Sequence, residues 1–407
     1  MHLSFILKTS CLLFLSFLIS THGFNQYHQY KHVIISNHSI DSLDLIDLSK
    51  KIFKKKQLTD LKKEKSEKKY EFSVLPVIGY TLQSGIVGNV SGNVIFKNGK
   101  NDSTNTSAIV QGISYSQYNQ LEFYLQSEIW SKNNNWNFSG DLRFYIYPQD
   151  TYGLGGFSKE EEAILVNYSF IRFYGTVFKK IKHNLYLGLG YMLDKRWNIV
   201  QSQHSFISDY DKYGYRTTSN SSGFNINVLT DRRDNPINSS KGFYANAILR
   251  FNKEFLGSDK DWTSFMLDYR KYFRLDHKHT TLAFWNMYWL TLNGNPPYLD
   301  LPSTGWDTNN NLGRGYIQSR FRSQNLIYLE SELRFNITRN QFLGAVLFAN
   351  AQSFTEIGSK KFERIIPGFG TGIRLKFNKH SRTNLAIDYG FGLDGSGGIF
   401  VNLGEVF

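Results

Sequence analysis

The 407-residue chain has one cysteine, Cys11, and seven prolines. The cysteine lies in the N-terminal stretch MHLSFILKTSCLLFLSFLISTHG, where a cation at Lys8 precedes an apolar run and small or polar residues lead to Gly23. That pattern predicts a secretory signal peptide over residues 1–23 and leaves the mature chain without disulfides or thiol chemistry. After Gly23 no stretch of 18 apolar residues occurs, so a membrane-spanning helix is excluded. G-x-S-x-G and an ordered Ser–His–Asp set are also missing, and the glycine-rich GFGTGI and GLGGF do not sit between a strand and a helix. No catalytic residue or cofactor is expected. Asp276–His279 (DHKH) holds metal-capable groups in a short turn without a third partner, so no metal is expected either.

Aromatics and positive charge are abundant. Phe, Trp and Tyr make up 16% of the chain, and the formal charge is +13. Mean hydropathy is nevertheless −0.37, which argues against packed apolar helices. It suits strands that present one face to an apolar medium and the other to water.

Two segments follow the signal peptide. Residues 24–70 carry helix-compatible spacing at Leu43, Ile46, Leu48, Ile52 and Phe53, then ten lysines between Lys50 and Lys69. They read either as a solvated linker or as a basic amphipathic segment on an anionic membrane surface. From Glu71 to Phe407 the period changes to two. In FGTGIRLKF, Phe369, Ile373 and Leu375 alternate with Arg374 and Lys376; in IYLESELRF, Leu329 and Leu333 alternate with Tyr328, Glu330, Glu332 and Arg334. In LAIDYGFGL, Ala386 and Asp388 oppose Leu385, Ile387 and Tyr389; Arg143 and Arg250 occupy the same kind of polar face.

About sixteen such strands are expected, running from 72–82 to 397–407, each long enough to cross a tilted bilayer. A sandwich of that many strands would leave too much apolar surface uncovered. The reading is therefore all-β: a transmembrane antiparallel β-barrel with a lipid-facing exterior and a polar lumen. The longest connections, 148–162, 198–220 and 293–324, alternate with short turns, so the long ones lie on one side. Membrane phosphate is a better partner for the basic charge than nucleic acid.

Three segments, in order, resemble the bacterial surface-antigen family of outer-membrane barrels, which includes the BamA and TamA assembly factors. DRRDNPINSSKGF matches the family's D-x-R-D-N-P turn at Asp231, Arg233, Asp234, Pro236 and Gly242. GRGY (Gly313, Arg314, Gly315, Tyr316) is similar to the R-G-F/Y signature of its long sixth outer loop, and YLESELRF to the strand that follows. The resemblance covers about 71–407. It implies that the loop folds back into the barrel and that Arg314 pairs with acids on the inward faces of the next two strands. Glu332 is one such acid, and Glu330 a second candidate on the same strand. At the other expected position the sequence has Asn350, which offers an acceptor without charge; Arg374, Glu330 and Arg334 are expected in the lumen. The 47 residues between Gly23 and Glu71 are too few for a periplasmic POTRA domain, so a POTRA-less member is expected.

The function implied is insertion or translocation of protein or lipid at the bacterial outer membrane, through a seam between the first and last strands. Outer-membrane lipids, and nascent outer-membrane proteins or a second copy, are the expected partners. The alternatives are a passive channel and an enzyme carried on outer loops, for which His204, Asp209 and Asp211 are the candidates.

Overall fold

The computed structural model describes residues 43–45, 47, 70–99, 104–275, 280–308, 310–379 and 381–407. The expected signal peptide, nearly all of the basic segment, and Asp276–His279 lie outside the described residues.

The wall begins with β1 (Tyr70–Thr81), β2 (Gly85–Phe96), β3 (Ser107–Ser116), β4 (Leu121–Trp130) and β5 (Trp136–Ile146). A three-residue β6 (Gln149–Thr151) precedes the long hairpin of β7 (Ile164–Lys182) and β8 (Leu185–Gln201). Next come β9 (Ser219–Asp231), β10 (Gly242–Asn252), β11 (Trp262–Arg274), β12 (Thr281–Gly294) and β13 (Asn325–Asn336). The chain ends with β14 (Leu343–Phe354), β15 (Ile366–Asn378), β16 (Thr383–Phe391) and β17 (Gly397–Leu403). Successive strands pair antiparallel, with β5 passing directly to β7 while β6 pairs along the extension of β7. Leaving out β6, sixteen long strands remain among the described residues, in line with the about sixteen expected from the alternation.

Burial along each strand shows what surrounds it. On β15, Phe369 and Ile373 are 59% and 50% exposed, whereas Arg374 is 4% exposed. On β13, Leu329 is exposed and Glu332 is fully buried. Large apolar side chains outside and ionised ones inside invert a soluble protein's arrangement and fit a barrel wall in lipid. Among the described residues no helix is long and apolar enough to cross a membrane.

The connection 295–324 between β12 and β13 runs through the interior. Its Tyr298, Leu299 and Leu301 pack on Tyr145, Tyr168 and Phe170, while Leu312, Tyr316 and Phe321 pack on Trp285, Tyr328 and Phe354.

One expected strand ends early. The last strand is expected over 397–407; β17 stops at Leu403 instead. Gly404, at φ 111°, turns the backbone inward. Glu405, which fits poorly on a lipid face, then reaches Arg374 at 2.7 Å, and Phe407 stacks on Trp285 inside. The charge finds a partner there that lipid could not supply.

Candidate functional site: the pinned lumen loop

Gly313, Arg314, Gly315 and Tyr316 lie at the inward end of the loop. Arg314 is 1% exposed. Its guanidinium donates to Glu332 Oε2 at 2.8 Å, to Asp388 Oδ2 at 2.6 Å and to Glu330. It also stacks over the Phe348 ring, 3.7 Å from the centroid. A planar fork of donors suits several carboxylates converging from different strands, which an ammonium could not serve in the same way.

Both glycines of the motif are left-handed, Gly313 at φ 86° and Gly315 at φ 107°. Gly315 passes so close to β16 that a Cβ on Gly390 would meet its nitrogen at 2.6 Å. The glycines thus permit both the turn and the contact with the wall. Tyr316 then anchors the loop's exit: its hydroxyl donates to the Pro367 carbonyl and accepts from Leu393 N at 2.8 Å.

Asn350 differs from expectation. Expected to accept from the guanidinium, it instead donates its Nδ2 to the Arg314 carbonyl oxygen at 2.9 Å. The missing acid comes from Asp388 on β16, not from β14. Asp388 is fully buried, and it also receives Arg374, which reaches Glu332 at 3.2 Å. Arg334 joins at Glu332 (3.3 Å) and donates to the Phe407 carbonyl at 2.9 Å. The inward parity of Asp388 was visible in LAIDYGFGL; its partner was not.

A second pin escaped the sequence reading altogether. Asp300, on the loop's descending arm, is bonded by Arg196 of β8 and by Ser221 Oγ of β9 at 2.5 Å. No motif marks it, because the three residues come from separate parts of the chain.

The D-x-R-D-N-P turn lies at the opposite, short-turn end. Arg233 grips Asp231 at 2.9 Å and reaches the Pro236 carbonyl at 3.4 Å. Asp234 accepts from Ser240 N and Lys241 N at 2.8 and 3.1 Å, and pairs with Arg382 of the β15–β16 turn at 3.1 Å. Burial alone would raise the Asp234 carboxyl, but these hydrogen bonds hold it below the usual carboxylate range. Gly242 closes the turn at φ 101°, with Arg232 O where a Cβ would stand.

Of the loop-enzyme candidates, His204 and Asp211 are joined at 3.0 Å, and Asp211 completes the capping box with Ser208 that starts α1 (Asp209–Gly214). Asp209 accepts from Leu154 N at 3.0 Å. All three hold the outer loop together.

The wall and its pinned internal loop define a membrane β-barrel with a loop held inside its lumen. The Omp85 superfamily domain matches residues 97–407, and the chain belongs to that superfamily. The fold is similar to that of BamA from Haemophilus ducreyi lacking POTRA domains 1–3, at 14% identity and a TM-score of 0.55, covering 83% of this chain and 69% of that one. It is also similar to CdiB from Acinetobacter baumannii, at 12% identity and a TM-score of 0.52, covering 83% of this chain and 60% of that one. CdiB from Escherichia coli gives 9% identity and a TM-score of 0.54, with 82% of this chain and 61% of that one covered. The chain therefore spans about three fifths of the length of the two CdiB chains. A comparison with curated proteins gives no match.

Proposed function

We propose that this barrel inserts or translocates nascent outer-membrane protein, or lipid, along the line where β1 meets β17. One observation carries the reading. Other neighbouring long strands are joined by ladders, whereas β1 and β17 touch without a paired register. β17 offers only seven residues to the twelve of β1. Pro76, in the middle of β1, removes a backbone donor, as befits an edge strand. Unpaired edge groups can template an incoming strand, and an incompletely closed wall perturbs the lipid beside it. A passive channel is the second reading, but Tyr298, Leu299, Leu312, Tyr316 and Phe321 of the internal connection pack on the inner wall and narrow the path a solute would take.

A staple across this line is the test. A Cβ on Gly398 would fall 2.5 Å from the Leu82 side chain, so Leu82→Cys with Gly398→Cys should cross-link. Oxidation should abolish barrel or lipid insertion in liposomes, and reduction should restore it. Undiminished insertion by the stapled barrel, with ion conductance persisting, would refute the proposal and favour the channel.

A further inference from the structure

At the short-turn end the lumen opens into a cavity of about 280 Å³. Its lining is cationic: Arg274, Arg334, Arg374, Lys376, Lys379 and Arg382 face the carboxylate of Glu405. That carboxylate is engaged by Arg374 at 2.7 Å and by Asn384 Nδ2 at 2.6 Å. Arg382 is held by Asp234 at 3.1 Å, and Lys379 by Asp47 at 2.7 Å.

Two donors stand apart. Arg334 is 6% exposed, and although its Nε and Nη2 are bonded, its Nη1 is buried without an acceptor. Lys376, two strands away on β15, makes no side-chain hydrogen bond or ion pair with the described residues and feels Glu405 only at longer range. A buried donor without an acceptor is destabilising, and an unpaired ammonium lining the same cavity adds further positive charge to it. An anion seated between them would relieve both.

We propose that this cavity binds a phosphate-type oxyanion, held by Arg334 Nη1 and Lys376 Nζ beneath the rim cations Arg274 and Arg382. The donors come from two strands that are not neighbours, and the rim adds charge from a third direction. A tetrahedral group of more than one negative charge offers an oxygen to each, whereas a planar carboxylate would satisfy one side. A lipid headgroup and free phosphate present the same oxygens, so either source satisfies these donors.

The full chain, in zwitterionic detergent, is titrated with inorganic phosphate and followed by phosphorus NMR. In parallel it is placed in phosphatidylcholine nanodiscs containing some phosphatidylglycerol, and the anionic lipid retained after stripping is measured by mass spectrometry. Lys376→Gln should weaken phosphate binding about tenfold or more. The charge-matched Lys360→Gln, on the long-loop side, should leave it unchanged. Phosphatidylglycerol retained by the wild type and lost in Lys376→Gln assigns the site to a headgroup; phosphate binding without retained lipid assigns it to a free oxyanion. Heat-modifiable migration checks that each variant is folded. Binding that is absent, or equal in wild type and Lys376→Gln in both arms, would overturn the proposal.

Discussion

Arg314 and Asp388 are 74 residues apart in the chain and 2.6 Å apart in the barrel. This contact ties the inward end of the loop to β16, the partner of β17 in the wall. Because Asp388 also receives Arg374, and Arg374 holds Glu405, the loop, the wall and the chain's inward-turned end share one buried ionic network.

Arg314→Ala would leave Glu330, Glu332 and Asp388 without their shared cation. Breaking a buried pair from one side costs about 3–5 kcal/mol. The variant should lose its heat-modifiable form at a lower temperature and show larger, noisier conductance in planar bilayers. Arg314→Lys should fall between it and wild type, because it keeps the charge but not the fork.

The second pin predicts an effect on the outer half of the loop. Asp300→Asn removes the charge facing Arg196, a loss of about 1–3 kcal/mol. Residues 295–308 should become accessible to protease while the contacts of Arg314 persist. Equal digestion of wild type and variant would show that Asp300 does not hold this arm.

The short-turn end gives a backbone prediction. Gly242→Ala places a Cβ 2.1 Å from Arg232 O at a left-handed φ, a strain of at least about 1–3 kcal/mol. Slower refolding and a lower Tm are expected. Ser240→Ala, which removes one hydroxyl bond to Asp234, should have a smaller effect.

His204 makes the outer loop pH-sensitive. Its ring is within hydrogen-bonding distance of the Ser202 carbonyl at 2.9 Å and Asp211 at 3.0 Å, and only the protonated ring can donate to both. The Ser202 carbonyl, and then Asp211, raise its pKa above the ordinary 6.5. A raised value means that the stabilisation is complete below the ordinary value and is lost as pH climbs through the raised one. Protection factors of the amides over 202–218, corrected for intrinsic exchange, should therefore fall as pH rises above the ordinary histidine value of about 6.5. His204→Gln should remove most of that dependence.

The alternation of side chains determined much by itself. A strand's period of two is a local property, so the all-β class, the sixteen long strands and the inward placement of Glu330, Glu332, Arg334 and Arg374 could be read without knowing which strands meet. Which acid the guanidinium would meet was a different kind of question. Pairing across the lumen depends on strand number, register and tilt summed around the barrel, and no short window of residues contains those. Only the tertiary structure therefore put Asp388 where Asn350 had been expected and joined Asp300 to Arg196. It also brought Glu405 and Phe407 inside, where a buried cation outweighed the preference of an aromatic ring for lipid.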